Sequence, residues 1–191
     1  MGLFNALFAR HNQSRPKLDQ LFAISTACIT LESKLELKCE GKAGICIKPV
    51  ESARFSEIER ELKSLLELAA KTTGTNYKAL RDEYNYLWII LEDKDFEDLV
   101  TTIHMLSQSL IEGGFQDRIL CAVFKFKNQA GRAVYWIYSY KQGKFYPFIP
   151  LSEAKKQRDS SMEFKLKAAM EKELPVEAEL EKWYPLWNLP L

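Results

Sequence analysis

Two histidines, His11 and His104, and four cysteines, Cys28, Cys39, Cys46 and Cys121, are the side chains best suited to metal, nucleophilic or acid–base chemistry. Neither histidine is placed for metal binding. His104 has no ligand at i+4, and its helix neighbours Thr101 and Gln108 are poor zinc ligands. It borders an apolar stripe, which fits a hydrogen-bonded structural histidine. None of the cysteines forms a C-x-x-C pair. A Cys121–His104 dyad is conceivable, but Cys121 lies within the apolar run Leu120–Phe124, where burial makes a thiol inert. Cys39 and Cys46 bracket Gly41 and Gly44; if these flank a hairpin turn, the two thiols face each other across it. That would be a redox-switchable pair or two reduced cysteines on a packed face.

Other catalytic patterns are missing from the sequence. There is no G-x-S-x-G elbow and no Walker or G-x-G-x-x-G loop. The acids Asp82, Glu83, Glu92, Asp93 and Asp95 flank a strand-like run, where carboxylates are ordinarily solvated rather than tuned for proton transfer. No catalytic residue, metal site or cofactor is expected. With a formal net charge of +1, the 191-residue chain lacks the basic excess of a nucleic-acid binder. The aromatic, lysine-bearing stretch Lys125–Lys144 could stack bases, but an amphipathic sheet explains it equally well.

The elements that carry these residues read as α+β, an antiparallel sheet with helices on one face. Three segments are expected: an amphipathic lead over 1–16, an α+β domain over 17–175, and an aromatic tail over 176–191. In the lead, Leu3, Phe4, Leu7 and Phe8 share one helical face with no acid before Asp19. That is an interfacial membrane helix or a terminal helix packed on its own domain. Residues 28–38 alternate towards strand character, and Cys39–Cys46 follows as a hairpin tip. Ser56 and Glu59 form a capping-box pattern before a helix carrying Phe55, Ile58, Leu62, Leu65, Leu66 and Ala69. Tyr84–Leu91 reads as one strand, with Tyr86, Trp88 and Ile90 on one face. Asp95 caps a helix that Gly113 and Gly114 stop. Strands follow at Ile119–Lys127, Arg132–Tyr140 and Phe145–Ile149. A last helix, capped by Ser160 or Ser161, runs to about Leu174.

Two segments are unusually aromatic. The hairpin Tyr138–Pro150 carries Tyr138, Tyr140, Lys141, Lys144, Phe145, Tyr146 and Phe148; its prolines confine the last strand to an edge or to a segment that leaves the sheet. The tail carries Trp183, Tyr184 and Trp187, which fold back over the domain or serve as interface anchors. Aromatic density without a catalytic constellation points to binding another protein.

These segments, together with Arg81-Asp-Glu-Tyr-Asn-Tyr-Leu-Trp88 and Glu112-Gly-Gly-Phe115, resemble the PspA-associated protein PspAB family. The likeness runs almost end to end, from the Met1-Gly-Leu-Phe opening through Leu18–Leu31 to Trp183–Trp187. A glycine often stands in that family between the two tyrosines of the first motif; Asn85 stands there here, and Asn also tolerates left-handed backbone. The resemblance implies an accessory component of a phage-shock-type envelope-stress system. Its partners would be PspA, a membrane-remodelling coat protein, and a second small associated protein. It implies no enzymatic residues. Cysteine usage and the absence of a signal-peptide pattern lead us to expect a cytoplasmic protein, peripheral at the inner face of the membrane if residues 1–10 touch lipid. The element order is also similar to α+β secretion-chaperone domains, an analogy of fold that confers no function.

Overall fold

The computed structural model describes residues 18–191. Leu3, Phe4, Leu7, Phe8 and His11 lie outside the described residues. The chain enters through a 3-10 turn at Leu18–Phe22 and a helix α1 at Ala23–Ser33. The strand expected over 28–38 is therefore mostly helix. Ile24, Ala27, Cys28 and Leu31 are buried at helical spacing, whereas Ile29, which the alternating pattern would bury, is 70% exposed.

A single strand, β1 (Lys38–Ile47), replaces the expected hairpin. Cys39 and Cys46 lie on that one strand and do not face each other: Cys39 pairs with Phe126 and Cys46 with Cys121. Gly41 makes a bulge rather than a turn. The register against the neighbouring strand shifts between Cys39 and Lys42, and Gly41 takes φ +64°. Its N–H and C=O stay engaged, the carbonyl accepting from Asp93 N at 3.0 Å.

Helix α2 (Ala53–Thr72) follows, capped by Ser52, whose Oγ accepts from Phe55 N at 3.1 Å. The helix thus starts a turn earlier than the Ser56–Glu59 pattern indicated, and its buried face is Phe55, Ile58, Leu62, Leu66 and Ala69. Next comes a hairpin, β2 (Asn76–Arg81) and β3 (Leu87–Glu92), where the sequence reading had one strand. Helix α3 (Phe96–Glu112) is capped by Asp95 as expected, with Oδ1 accepting from Glu97 N at 2.8 Å. Strands β4 (Ile119–Lys127), β5 (Ala133–Ser139) and β6 (Lys144–Phe148) form the expected meander. A small ribbon, β7 (Pro150–Ser152) with β8 (Gln157–Arg158), precedes helix α4 (Ser160–Met170). Asp159, not Ser160 or Ser161, caps α4.

The main sheet has six antiparallel strands in the order β2-β3-β1-β4-β5-β6. Among the described residues, the four helices pack on one face, against Ile45, Ile89, Leu91, Ala122, Phe124, Phe126 and Trp136. The α+β reading with helices on one face is thus borne out. The sheet is apolar on its other face too, where Trp88, Ile90, Val123, Tyr135, Ile137, Tyr146 and Phe148 form a second core. Among the described residues no helix is long and apolar enough to cross a membrane.

Gly41 and Gly74 both hold positive φ, but they differ in space. A Cβ on Gly41 would sit 2.5 Å from the main-chain oxygen of Asp93, whereas nothing lies within 4 Å of one on Gly74. Gly74→Ala is expected to cost about 1 kcal/mol, from backbone strain alone. Gly41→Ala should cost about 3 kcal/mol or more, because backbone must also move. Urea denaturation of the two variants checks the order; equal losses would mean that the bulge yields freely.

Candidate partner-binding site

The second face of the sheet is covered by the chain's own C-terminal residues. After α4, Pro175–Glu177 lies along the edge of β6: Phe145 N donates to Pro175 O at 2.9 Å and Glu177 N to Phe145 O at 2.8 Å. These bonds pair the open edge of β6. The prolines of β6 and its margin sit at this edge, as expected. The chain then crosses beneath the sheet as an extended strap. Trp183 is buried and stacks on Tyr146 with ring centroids 6.3 Å apart, and its Nε1 donates to Glu177 O at 3.0 Å. Trp187 meets Phe148 edge-on at 5.1 Å. Tyr146 donates its hydroxyl to Tyr184 O at 3.0 Å, and Lys125 Nζ donates to Leu191 O at 3.2 Å. Leu191 lies over Gly44, where an added Cβ would stand in ordinary contact with Leu191 Cδ1 at 3.4 Å.

One buried ion pair ties the strap to the rest. Glu163 on α4 is only 2% exposed and receives Arg158 Nε at 2.8 Å and Ile149 N at 2.8 Å. The same guanidinium donates to Trp183 O at 3.0 Å and lies 5.1 Å from the centre of the Phe148 ring. Helix, ribbon, edge strand and strap thus meet at Arg158. The charge-assisted bonds and the planar fork of arginine suit this junction.

The aromatic residues singled out from the sequence divide sharply. Tyr138, Tyr140 and Phe145 are core on the helix side; Tyr146, Phe148 and Trp183 are core on the strap side. Their side chains are not presented as a surface in this conformation, because β5 and β6 are covered on both faces. Lys144 is partly exposed and lies 3.7 Å from the buried Glu177 carboxylate. Lys141, Tyr184 and part of Trp187 remain outside, with Tyr184 56% exposed.

Those exposed residues border a groove. One hollow of about 660 Å³ is lined by Tyr86, Leu120, Cys121, Lys141, Tyr184 and Leu186. A second, of about 340 Å³, shares Tyr86, Leu120, Cys121 and Leu186 and continues past Trp88 and Trp187 to Tyr84. Tyr84, 71% exposed, was missed as a site residue because its strand-like setting dissolves into a turn. Asp82 builds that turn. Its Oδ1 accepts from Tyr84 N and Tyr86 N, each at 2.9 Å, and Oδ2 accepts from Trp88 Nε1 at 2.9 Å. Asn85 supplies the left-handed residue with φ +63°, consistent with its tolerance for that region. An Asp followed by two tyrosines around an Asn is the signal that could have found the turn.

Cys121 and His104 are not a dyad. Cys121 faces the strap side, whereas His104 sits on α3 on the helix side, with the sheet between them. The imidazole packs 4.6 Å from the Phe22 ring, and desolvation lowers its pKa below the ordinary value, with Asp19 opposing. Among the described residues no cluster of His, Cys, Asp or Glu could hold a metal ion.

Replacing Glu163 by Leu strands the Arg158 charge and is expected to destabilise by about 3–5 kcal/mol. Arg158→Met together with Glu163→Leu should recover most of that loss, since no unpaired charge remains. Urea unfolding of the single and double variants measures this; additive losses would contradict the buried-pair account.

No curated protein and no solved structure matches the chain, so the likeness to secretion chaperones rests on element order alone. The family model described as PspA associated protein B matches residues 1–191. With its tyrosine turn, its aromatic hairpin and its folded-back tail, the chain belongs to the PspAB family.

Proposed function

We propose that this protein is a non-enzymatic accessory of PspA that binds PspA or an associated protein through the groove between the strap and the sheet. Family membership carries the choice of partner. The choice of surface rests on exposed Tyr84 and Tyr184 flanking an apolar hollow whose floor is the sheet's second core. Such a site suits apolar side chains from a partner helix or loop, with tyrosines as anchors and Lys141 on the rim. The strap both completes the fold and forms one wall of the groove. A second small associated protein would compete for the same surface or extend it.

The first residues add a weaker contact. Leu3, Phe4, Leu7 and Phe8 share a face at helical spacing with no acid nearby, a pattern that suits the headgroup boundary of a membrane. Such a short segment binds lipid weakly alone and gains when a partner already sits on the bilayer. This would place the protein in the cytoplasm, at the inner face of the membrane when engaged.

Both contacts can be measured. Tyr84→Ala with Tyr184→Ala is expected to reduce recovery of a PspA-like protein from native membranes about tenfold or more, at unchanged thermal stability. Undiminished recovery would exclude this groove, and no recovery by the wild type tagged at either end would exclude the partner. Phe4→Glu with Phe8→Glu should abolish flotation on anionic vesicles; flotation equal to wild type would remove the lipid contact.

A further inference from the structure

The fold sorts the cysteines into two pairs. Cys46 and Cys121 are directly opposed cross-strand neighbours on the strap side, and both are buried. Cys28 on α1 and Cys39 at the start of β1 both pack at the margin of the helix-side core, and Glu32, one helical turn beyond Cys28, accepts from Cys39 N at 3.1 Å, which sets the two cysteines beside each other.

The second pair is asymmetric. Cys39 is partly exposed and lines an open hollow of about 690 Å³ beside Gly41, Lys42 and Thr73. Its sulfur accepts the N–H of Gly41 at 3.4 Å, so the bulge supplies a donor to a developing thiolate. Cys28 is buried in the helix-side core. The Cys28 thiol, and then Gly41 N–H, hold Cys39 below the usual thiol range; burial and the carboxylates of Glu32 and Glu40 oppose them. Cys28 is pushed up by its bond to Cys39 and by burial. A partly exposed cysteine whose sulfur has a donor, beside a buried one, is the arrangement of an attacking and a resolving cysteine.

We propose that Cys39 is an oxidant-sensing cysteine for hydrogen peroxide and that Cys28 resolves it as an intramolecular disulfide. The Cys39 thiolate attacks one peroxide oxygen. An S–O bond forms, the O–O bond breaks, and the departing hydroxide takes a proton to become water. Cys39 is then a sulfenic acid. The Cys28 sulfur attacks it, the S–S bond forms, the S–O bond breaks, and hydroxide leaves with the Cys28 proton as a second water. Two thiols are oxidised and one peroxide is reduced.

The test uses the full chain, reduced and then exposed to hydrogen peroxide, quenched by alkylation and mapped without reduction. The Cys28–Cys39 bridge is expected before any Cys46–Cys121 bridge. Cys39 should be lost about tenfold faster than the same cysteine in the urea-unfolded chain at equal pH. Cys28→Ser should leave a sulfenic acid on Cys39 that dimedone traps, and Cys39→Ser should abolish the fast phase. A Cys46–Cys121 bridge forming first, or Cys39 reacting no faster than in the unfolded chain, would overturn the proposal. The wild-type mapping decides the matter even if a variant folds poorly.

Discussion

A six-stranded sheet that is apolar on both faces cannot stand with helices on only one. This constraint governs the molecule. The second face is buried by an extended strap, and a strap has few backbone bonds of its own, so it must be fastened by side chains. Trp183 and Trp187 supply the apolar area, and the Arg158–Glu163 pair fixes the chain between them and α4. Burying a charge is costly unless each of its donors finds an acceptor. Arg158, whose side chain keeps 20% exposure, directs its donors to the Glu163 carboxylate and to the Trp183 and Pro147 carbonyls, which couples the strap to helix, ribbon and edge strand together.

Much of this was legible in the sequence where one periodicity dominated. The stripes of α2 and α3, the Asp95 cap and the three strands of the meander follow directly from apolar spacing and turn residues. Failures occurred where two patterns overlapped. Residues 28–37 satisfy a strand alternation through Ile29, Leu31, Leu35 and Leu37, but residues 24–31 also satisfy a helical one, and packing against the core selected the latter. Gly41 shows a different limit. A glycine at positive φ serves a turn or a bulge equally well, and only pairing on both sides of β1 decides. Reading it as a turn folded one central strand into a hairpin and mispaired the cysteines.

The candidate site was half legible for a similar reason. Aromatic density marks residues that bury large area, but it does not say whether the cover is the chain itself or a partner. Tyr138, Phe145, Tyr146 and Phe148 are claimed by the protein's own two cores. Tyr184 and Trp187 stay at the strap's margin because a strap is too narrow to cover a six-stranded face completely. Tyr84 joins them only through the turn that Asp82 and Asn85 build, a three-dimensional neighbour about a hundred residues away in sequence. The segments that carry the resemblance thus have structural work around this groove: one displays a tyrosine, another forms the sheet edge, and the last lays the strap.

In the proposed function, the strap and the tyrosine turn together form the surface a PspA-type partner meets. Amide hydrogen exchange of the full chain, with and without a purified PspA-like protein, addresses it most directly. New protection is expected at residues 82–86, 139–142 and 184–187, with the helix face unchanged. Protection confined to α1, α2 or the outer edge of β2, with none around the groove, would contradict it.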